Sequence, residues 1–217
     1  MLDERLKTVA ALVRPGSRVA DIGTDHGYLP VYLVQEGICP RAIAADLRSG
    51  PLESARRHVT AAGLSDRIDL RLGDGLTAIE PQEVDEIIIA GMGGETIAGI
   101  LAAADWVRQP RLRLILQPMT RAEELRRFLL ENGFHTDTER LVQDGRHLYP
   151  VLAVQFTAAP PPEDELPIYA GGFAPEEGRP YRRMMADHLR RKAEGIQARV
   201  PEQAAMYREL AGRLEQM

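Results

Sequence analysis

At 217 residues, the chain has room for one α/β domain of about 150 residues and an appendage, since single domains run to about 100–200 residues. It is 44% hydrophobic and 27% charged, and no apolar run approaches the roughly 18 residues of a membrane span, so a water-soluble globular protein is expected and a membrane-spanning one is excluded. A net charge of −5 excludes an indiscriminate polyanion binder, whose affinity would come from Lys and Arg neutralising phosphates.

The N-terminal stretch MLDERLKTVAALVRPG begins with mixed acids and bases. It lacks an apolar core followed by a small-residue cleavage site, so no signal peptide is read there and a cytoplasmic location is expected. From residue 17, short β-branched runs alternate with helical patterns, the mark of βαβ units and a mainly parallel sheet. Residues 17–23 (SRVADIG) are expected as the first strand, 28–37 as a helix and 42–46 (AIAAD) as the second strand. The single cysteine, Cys39, falls in the loop before that second strand, where it can neither close an intramolecular disulfide nor build a multi-cysteine metal site, and is read as structural.

Residues 49–63 follow as a helix with Pro51 in its first turn and Gly63 near its end, and 68–74 (IDLRLGD) as the third strand. The run Ile87 to Ala90 within 83–94 is too short for a helix and too continuous for a half-exposed strand, which puts this fourth strand at the sheet centre. A helix (95–105), a strand (111–118), a helix (120–133) and a closing two-stranded unit (134–145 and 146–156) complete a doubly wound, Rossmann-like sheet of about seven strands.

After Phe156 the segment TAAPPPEDELPIY is rich in proline and acid and reads as an irregular linker. The division expected is a catalytic domain over 1–158, then a linker and a small C-terminal helical, coiled-coil-like domain over 159–217. Its helices, 179–200 and 201–217, have Pro201 suited to the first turn of the second. Met185, Leu189, Ile196 and Val200 can share one face, as can Met206, Leu210 and Leu214, so an antiparallel hairpin is expected. The first helix carries a basic run that includes Arg182, Arg183, Arg190, Arg191 and Lys192. It is either a solvated helix face or a phosphate-binding one.

The chemistry concentrates where strands end. The first strand runs into Asp21-Ile22-Gly23-Thr24-Asp25-His26-Gly27, a strand-to-helix turn whose glycines allow close backbone approach to a ligand. The spacing is not GxGxxG, and the flanking carboxylates Asp21 and Asp25 suit a cationic ligand better than a pyrophosphate. S-adenosylmethionine (SAM), with its sulfonium and ammonium, is such a ligand. His26 either touches the cofactor or caps the helix. Asp46, followed by Leu47 at the end of the second strand, sits where an acid accepts hydrogen bonds from ribose hydroxyls, a need shared by NAD and SAM. Gly73-Asp74-Gly75-Leu76 after the third strand separates the two, because an acid there can accept from the adenine amine while the next backbone N–H meets the ring. The fourth strand ends in Ala90-Gly91-Met92-Gly93-Gly94-Glu95-Thr96, which is expected to floor the methyl acceptor. The alternative for these glycines is a close strand-to-helix crossing.

VADIGTDHGYLP, AADLRSGPLESA, LGDGL, IIIAGMGGETI and LILQPM, in this order and spacing, closely resemble the bacterial tRNA (adenine(22)-N1)-methyltransferase family, TrmK, over about residues 1–158. The resemblance implies SAM as donor, S-adenosylhomocysteine as product, N1 of adenine 22 in the tRNA D-arm as acceptor, and a C-terminal helical domain. In that setting Gly91, Met92, Gly93 and Gly94, with Asp25 and Glu95 as acids able to stabilise a cationic purine, are the candidate catalytic residues. Asp21, Gly23, Thr24, Asp25, His26, Gly27, Asp46, Leu47, Asp74, Gly75, Leu76 and Gly91 are the candidate SAM-binding residues. The basic helix would meet tRNA phosphates. No metal and no membrane contact are expected, and the protein is expected to be a monomer. Rival readings are a methyltransferase of another RNA or a small molecule, and a noncatalytic SAM-binding module.

Overall fold

The computed structural model describes residues 2–217. The N-terminal stretch forms a helix, α1 (Glu4–Ala11), started by the Asp3 carboxylate, which accepts from the Leu6 N–H at 2.7 Å. The sequence reading placed no element there. The α/β alternation then follows as β1 (Val19–Ile22), α2 (Tyr28–Gln35), β2 (Ala42–Asp46), α3 (Ser49–Ala61), β3 (Ile68–Leu72), β4 (Glu86–Gly93), α4 (Gly94–Ala102), β5 (Arg113–Thr120), α5 (Ala122–Glu131), β6 (Phe134–Asp144) and β7 (His147–Phe156).

The seven strands form one sheet in the order β3-β2-β1-β4-β5-β7-β6, parallel from β3 through β5, with β7 antiparallel to both of its neighbours. The chain winds outward in both directions from β1 and β4. Between their carboxyl ends the crossovers diverge, leaving the crevice where such sheets bind ligands. Ile87, Ile88 and Ile89 are fully buried: alternate side chains go to the two cores on opposite faces of the sheet, Ile87 and Ile89 to one and Ile88 to the other. The continuous apolar run is therefore a two-sided central strand, as its composition requires. Cys39 is buried in the second of these cores.

Beyond β7 the supposed linker contains a short helix, α6 (Leu166–Ala170), followed by α7 (Pro175–Ile196) and α8 (Pro201–Glu215). Ile168, Tyr169, Ala170 and Phe173 are buried and form a third core with α7 and α8, so the end of the linker packs rather than trails. Helix α7 begins at Pro175, ahead of the expected Arg179, and holds Pro180 within it. Its buried face runs through Tyr181, Met185, Ala186, Leu189 and Ala193, i, i+4 spacing facing α8. Val200, assigned to that face from sequence, is 44% exposed, because the helix stops at Ile196 and the next residues reverse the chain.

Candidate active site

A cavity of about 550 Å³ opens at the carboxyl ends of β1, β2, β3 and β4. Its wall begins with Asp21, the third residue of β1, after which the backbone turns at Gly23, where φ is +74°. The Gly23 and Thr24 N–H groups donate to the Ala45 carbonyl at 2.8 and 3.0 Å, tying the turn to the end of β2. A Cβ on Gly23 would lie 2.2 Å from Met92 Cε. The first turn thus packs against the end of β4; Met92 could swing away from a side chain there, and it is the left-handed backbone that favours glycine at Gly23. Asp25 also adopts a left-handed conformation (φ +52°), which Asp tolerates better than most residues.

Asp46 is buried, with one carboxylate oxygen accepting from the Asp25 N–H at 3.2 Å and the other from the Arg48 N–H at 2.9 Å. Two backbone donors fix it on the cavity wall, with lone pairs left over for a ligand's hydroxyls. Asp21 is also buried, and burial pushes its carboxyl up to about 6, with the nearby Asp46 charge adding to the shift. A positively charged ligand group beside it would offset that penalty. The Thr24 hydroxyl is buried beside the Asp21 carboxyl and tempers its rise, but makes no hydrogen bond of regular geometry. Across the cavity, Asp74 and Gly75 (φ +54°) follow β3, and Leu47, 62% exposed, forms an apolar lip beside Asp46. Acids and a glycine cradle suit a ligand with cationic, ribose and adenine parts.

The floor is held from behind. Gln117 on β5 is fully buried, and its Oε1 accepts from the Gly91 N–H at 3.0 Å and from Arg5 Nη1 at 2.8 Å, while its Nε2 donates to the Pro118 carbonyl at 3.0 Å. The left-handed turn at Gly91 (φ +82°) and the Arg5 guanidinium are therefore set by one amide.

A family model described as a methyltransferase domain matches residues 2–152. The tRNA (adenine(22)-N(1))-methyltransferase of Bacillus subtilis is 41% identical over 154 residues, which span 71% of this chain and 65% of that one. Two solved structures align along nearly the whole chain. One is the B. subtilis m1A22 tRNA methyltransferase TrmK, 33% identical with a TM-score of 0.78, covering 99% of this chain and 96% of that one. The other is Streptococcus pneumoniae Sp1610, a putative tRNA (m1A22) methyltransferase in complex with SAM, 32% identical with a TM-score of 0.82, covering 99% and 100%. This chain belongs to the TrmK family.

Within that family frame, the structure sorts the residues singled out in the sequence. Asp21, Gly23, Thr24, Asp25, His26, Asp46, Leu47, Asp74, Gly75, Gly91 and Met92 all line the cavity. Gly27 and Leu76 do not. Gly27 is the left-handed residue before α2, packed 3.1 Å (measured from an added Cβ) from Ala55, and Leu76 is buried in the hydrophobic core. Gly93, Gly94 and Glu95 also stand outside the lining. A Cβ on Gly94 would lie 2.1 Å from the Arg121 carbonyl oxygen, so this glycine serves a close backbone crossing, and Glu95 is exposed in the first turn of α4.

The basic helix is corrected more sharply. Arg182 is 3% exposed, and its guanidinium lies back over the start of α7, donating to the Pro175 carbonyl. It faces no solvent from which RNA could approach. Arg190 pairs with Glu215 of α8 at 2.5 Å, and the Lys192 ammonium lies 4.7 Å from the centre of the Tyr207 ring, so both hold α7 to α8. Arg183 and Arg191 are exposed.

Sequence reasoning missed Arg5, Tyr28, Arg48 and Ile100, which also line the cavity, as does Thr96. Arg5 and Ile100 carry no local signal, since each reaches the site from a helix whose approach only the fold defines. Thr96 closes the Ala90–Thr96 segment expected to floor the acceptor, although it was not named among the candidate residues.

Proposed function

We propose that this chain transfers the methyl group of SAM to N1 of adenine 22 in tRNA, acting as a cytoplasmic monomer whose catalytic unit is residues 1–158 and whose C-terminal unit, 159–217, assists substrate binding. The observation that carries this reading is the set of acids at three successive strand ends, Asp21, Asp46 and Asp74, lining one cavity with the Gly91–Met92 floor. NAD would share Asp46 but gains nothing from a buried Asp21 beside a glycine turn.

Bound SAM supplies an electrophilic methyl on a sulfonium. Asp21 and the Gly23–Asp25 turn would hold its amino-acid end, with the buried Thr24 hydroxyl beside them. Asp46 accepts from the ribose hydroxyls, and Asp74 from the adenine amine while Leu47 covers one ring face. Gln117 keeps the Gly91 turn in place, so that the acceptor base is aligned rather than activated. Adenine N1 carries an in-plane lone pair: the N–C bond forms as the S–C bond breaks, the positive charge passes from sulfur to the purine, and no proton has to leave first. Alignment of this kind contributes up to about 7–11 kcal/mol, and Asp25, exposed on the rim, can stabilise the cationic ring. N1 lies on the pairing edge, so the base must leave the tRNA's tertiary structure, at a cost of a few kcal/mol.

Incubation with labelled SAM tests the reading against its rivals. Label is expected in intact tRNA and not in free adenosine; label in free nucleosides at an equal rate, or tight SAM binding with no transfer to tRNA, would contradict it.

A further inference from the structure

Strands β5 and β7 pair only from Arg113↔Gln155 to Leu116↔Leu152. Past that point the end of β5 and the start of β7 part. A groove of about 210 Å³ lies between them, closed on one side by α7 and lined among others by Met119, Arg121, Arg146, His147, Tyr149 and Met184. Because Met92 and Gly93 of β4 sit beside Pro118 and Thr120 of β5, this groove continues the same carboxyl edge that carries the cavity.

Arg121 has φ +55°, a conformation few non-glycine residues adopt and one that tends to persist at functional sites. It is over-determined by its surroundings: the Arg121 carbonyl accepts from the Glu124 and Leu125 N–H groups at 3.1 and 3.3 Å, and Gly94 packs directly on it. Arg146 follows the left-handed Gly145 in the β6–β7 turn. Both arginines are exposed. Neighbouring Arg127 and Arg140 pair with Glu165 and Glu177, whereas Arg121 and Arg146 form no ion pair among the described residues. The carboxylate in the groove, Glu123, is 8% exposed. His147 and Tyr149 project from the same face of β7 with rings stacked at 22° and centroids 6.0 Å apart, and Met184 is 38% exposed beside them. Free cations next to stacked rings are the elements of single-stranded RNA recognition, phosphates to the first and a base face to the second.

We infer that this groove holds the tRNA strand adjacent to the reacting base, with Arg121 and Arg146 on phosphates and the His147–Tyr149 pair against an unstacked base. The inference rests on tRNA being the acceptor. It moves the main RNA contact away from the middle of α7, where Arg190 and Lys192 are engaged within the protein.

The test compares unaltered enzyme with Arg146→Gln and with Arg121→Gly/Arg146→Gln, glycine being chosen because it accepts φ +55°. KM for tRNA, tRNA binding across a salt series and the SAM dissociation constant are measured for each. Arg146→Gln is expected to raise KM for tRNA several-fold and the double variant at least tenfold. The slope of log affinity against log salt should shrink by about 0.7 per lost contact, with SAM binding unchanged. Unchanged KM and salt slope in both variants, with the unaltered enzyme methylating tRNA, would overturn the groove's role and leave the function standing. Absence of transfer to tRNA by the unaltered enzyme would overturn the function, and the groove's role with it.

Discussion

Asp21 sits at 5% exposure with its carboxyl pushed up to about 6, and a ligand ammonium needs it ionised. SAM affinity is therefore expected to strengthen as pH rises through about 6 and to level off above it, whereas Asp21→Asn should bind SAM weakly at every pH. Stability runs the other way. The folded state holds this proton more tightly than the unfolded chain, so the group's contribution is fully present below 3.8, the ordinary value, and is lost as pH rises through about 6. Asp21→Asn should then melt no lower than the parent at pH 8 while having lost its ligand. Calorimetric titration of SAM from pH 5 to 8, with melting of both proteins, checks both signs; SAM affinity independent of pH across that window would refute the assigned role. The place of Asp21 on the cavity wall was legible because an acid next to a glycine turn has few structural reasons to be there. Arg182 was misread for the matching reason: a string of arginines records charge and not direction, and only the packing of α7 turns one of them inward.

The elements of the α/β sheet were legible because each strand differs in period and length from the helix after it, and because β4 is apolar on both faces. Helix α1 was not, since its mixed charges give only a short amphipathic stripe. The segment 166–173 was missed because proline and acid ahead of it signalled a linker, while its apolar residues Ile168, Tyr169 and Phe173 find a core only once α5, β6 and α7 surround them. Their anchor is Arg126 on α5. Its guanidinium bonds Glu139 of β6 at 2.5 and 3.1 Å, the Ile168 carbonyl at 3.1 Å and the Tyr181 hydroxyl at 2.9 Å, and Glu139 in turn accepts from the Gly172 N–H at 2.6 Å. Both side chains are almost wholly buried, at 5% and 1% exposure. Removing one partner leaves an uncompensated buried charge, which costs about 3–5 kcal/mol. Arg126→Met is expected to lose that much in chemical denaturation, and Arg126→Met/Glu139→Leu to lose less. A double variant as unstable as the sum of its parts would show that the two residues act independently.

Over the whole molecule, the sheet brings Asp21, Asp46, Asp74, the Gly91–Met92 turn and the groove beyond β5 to one edge, and the C-terminal helices pack beside that edge rather than across the cavity. A large, shaped substrate fits such a layout better than a small one, because the surfaces next to the reacting point extend well past the volume a nucleoside would fill. The position of the methyl group on the product tests this most directly. Unmodified tRNA and the same tRNA with guanine at position 22 would each be incubated with SAM and digested to nucleosides. The account predicts 1-methyladenosine from the first and none from the second; equal 1-methyladenosine from both, or a methyl group on another atom or base, would contradict it.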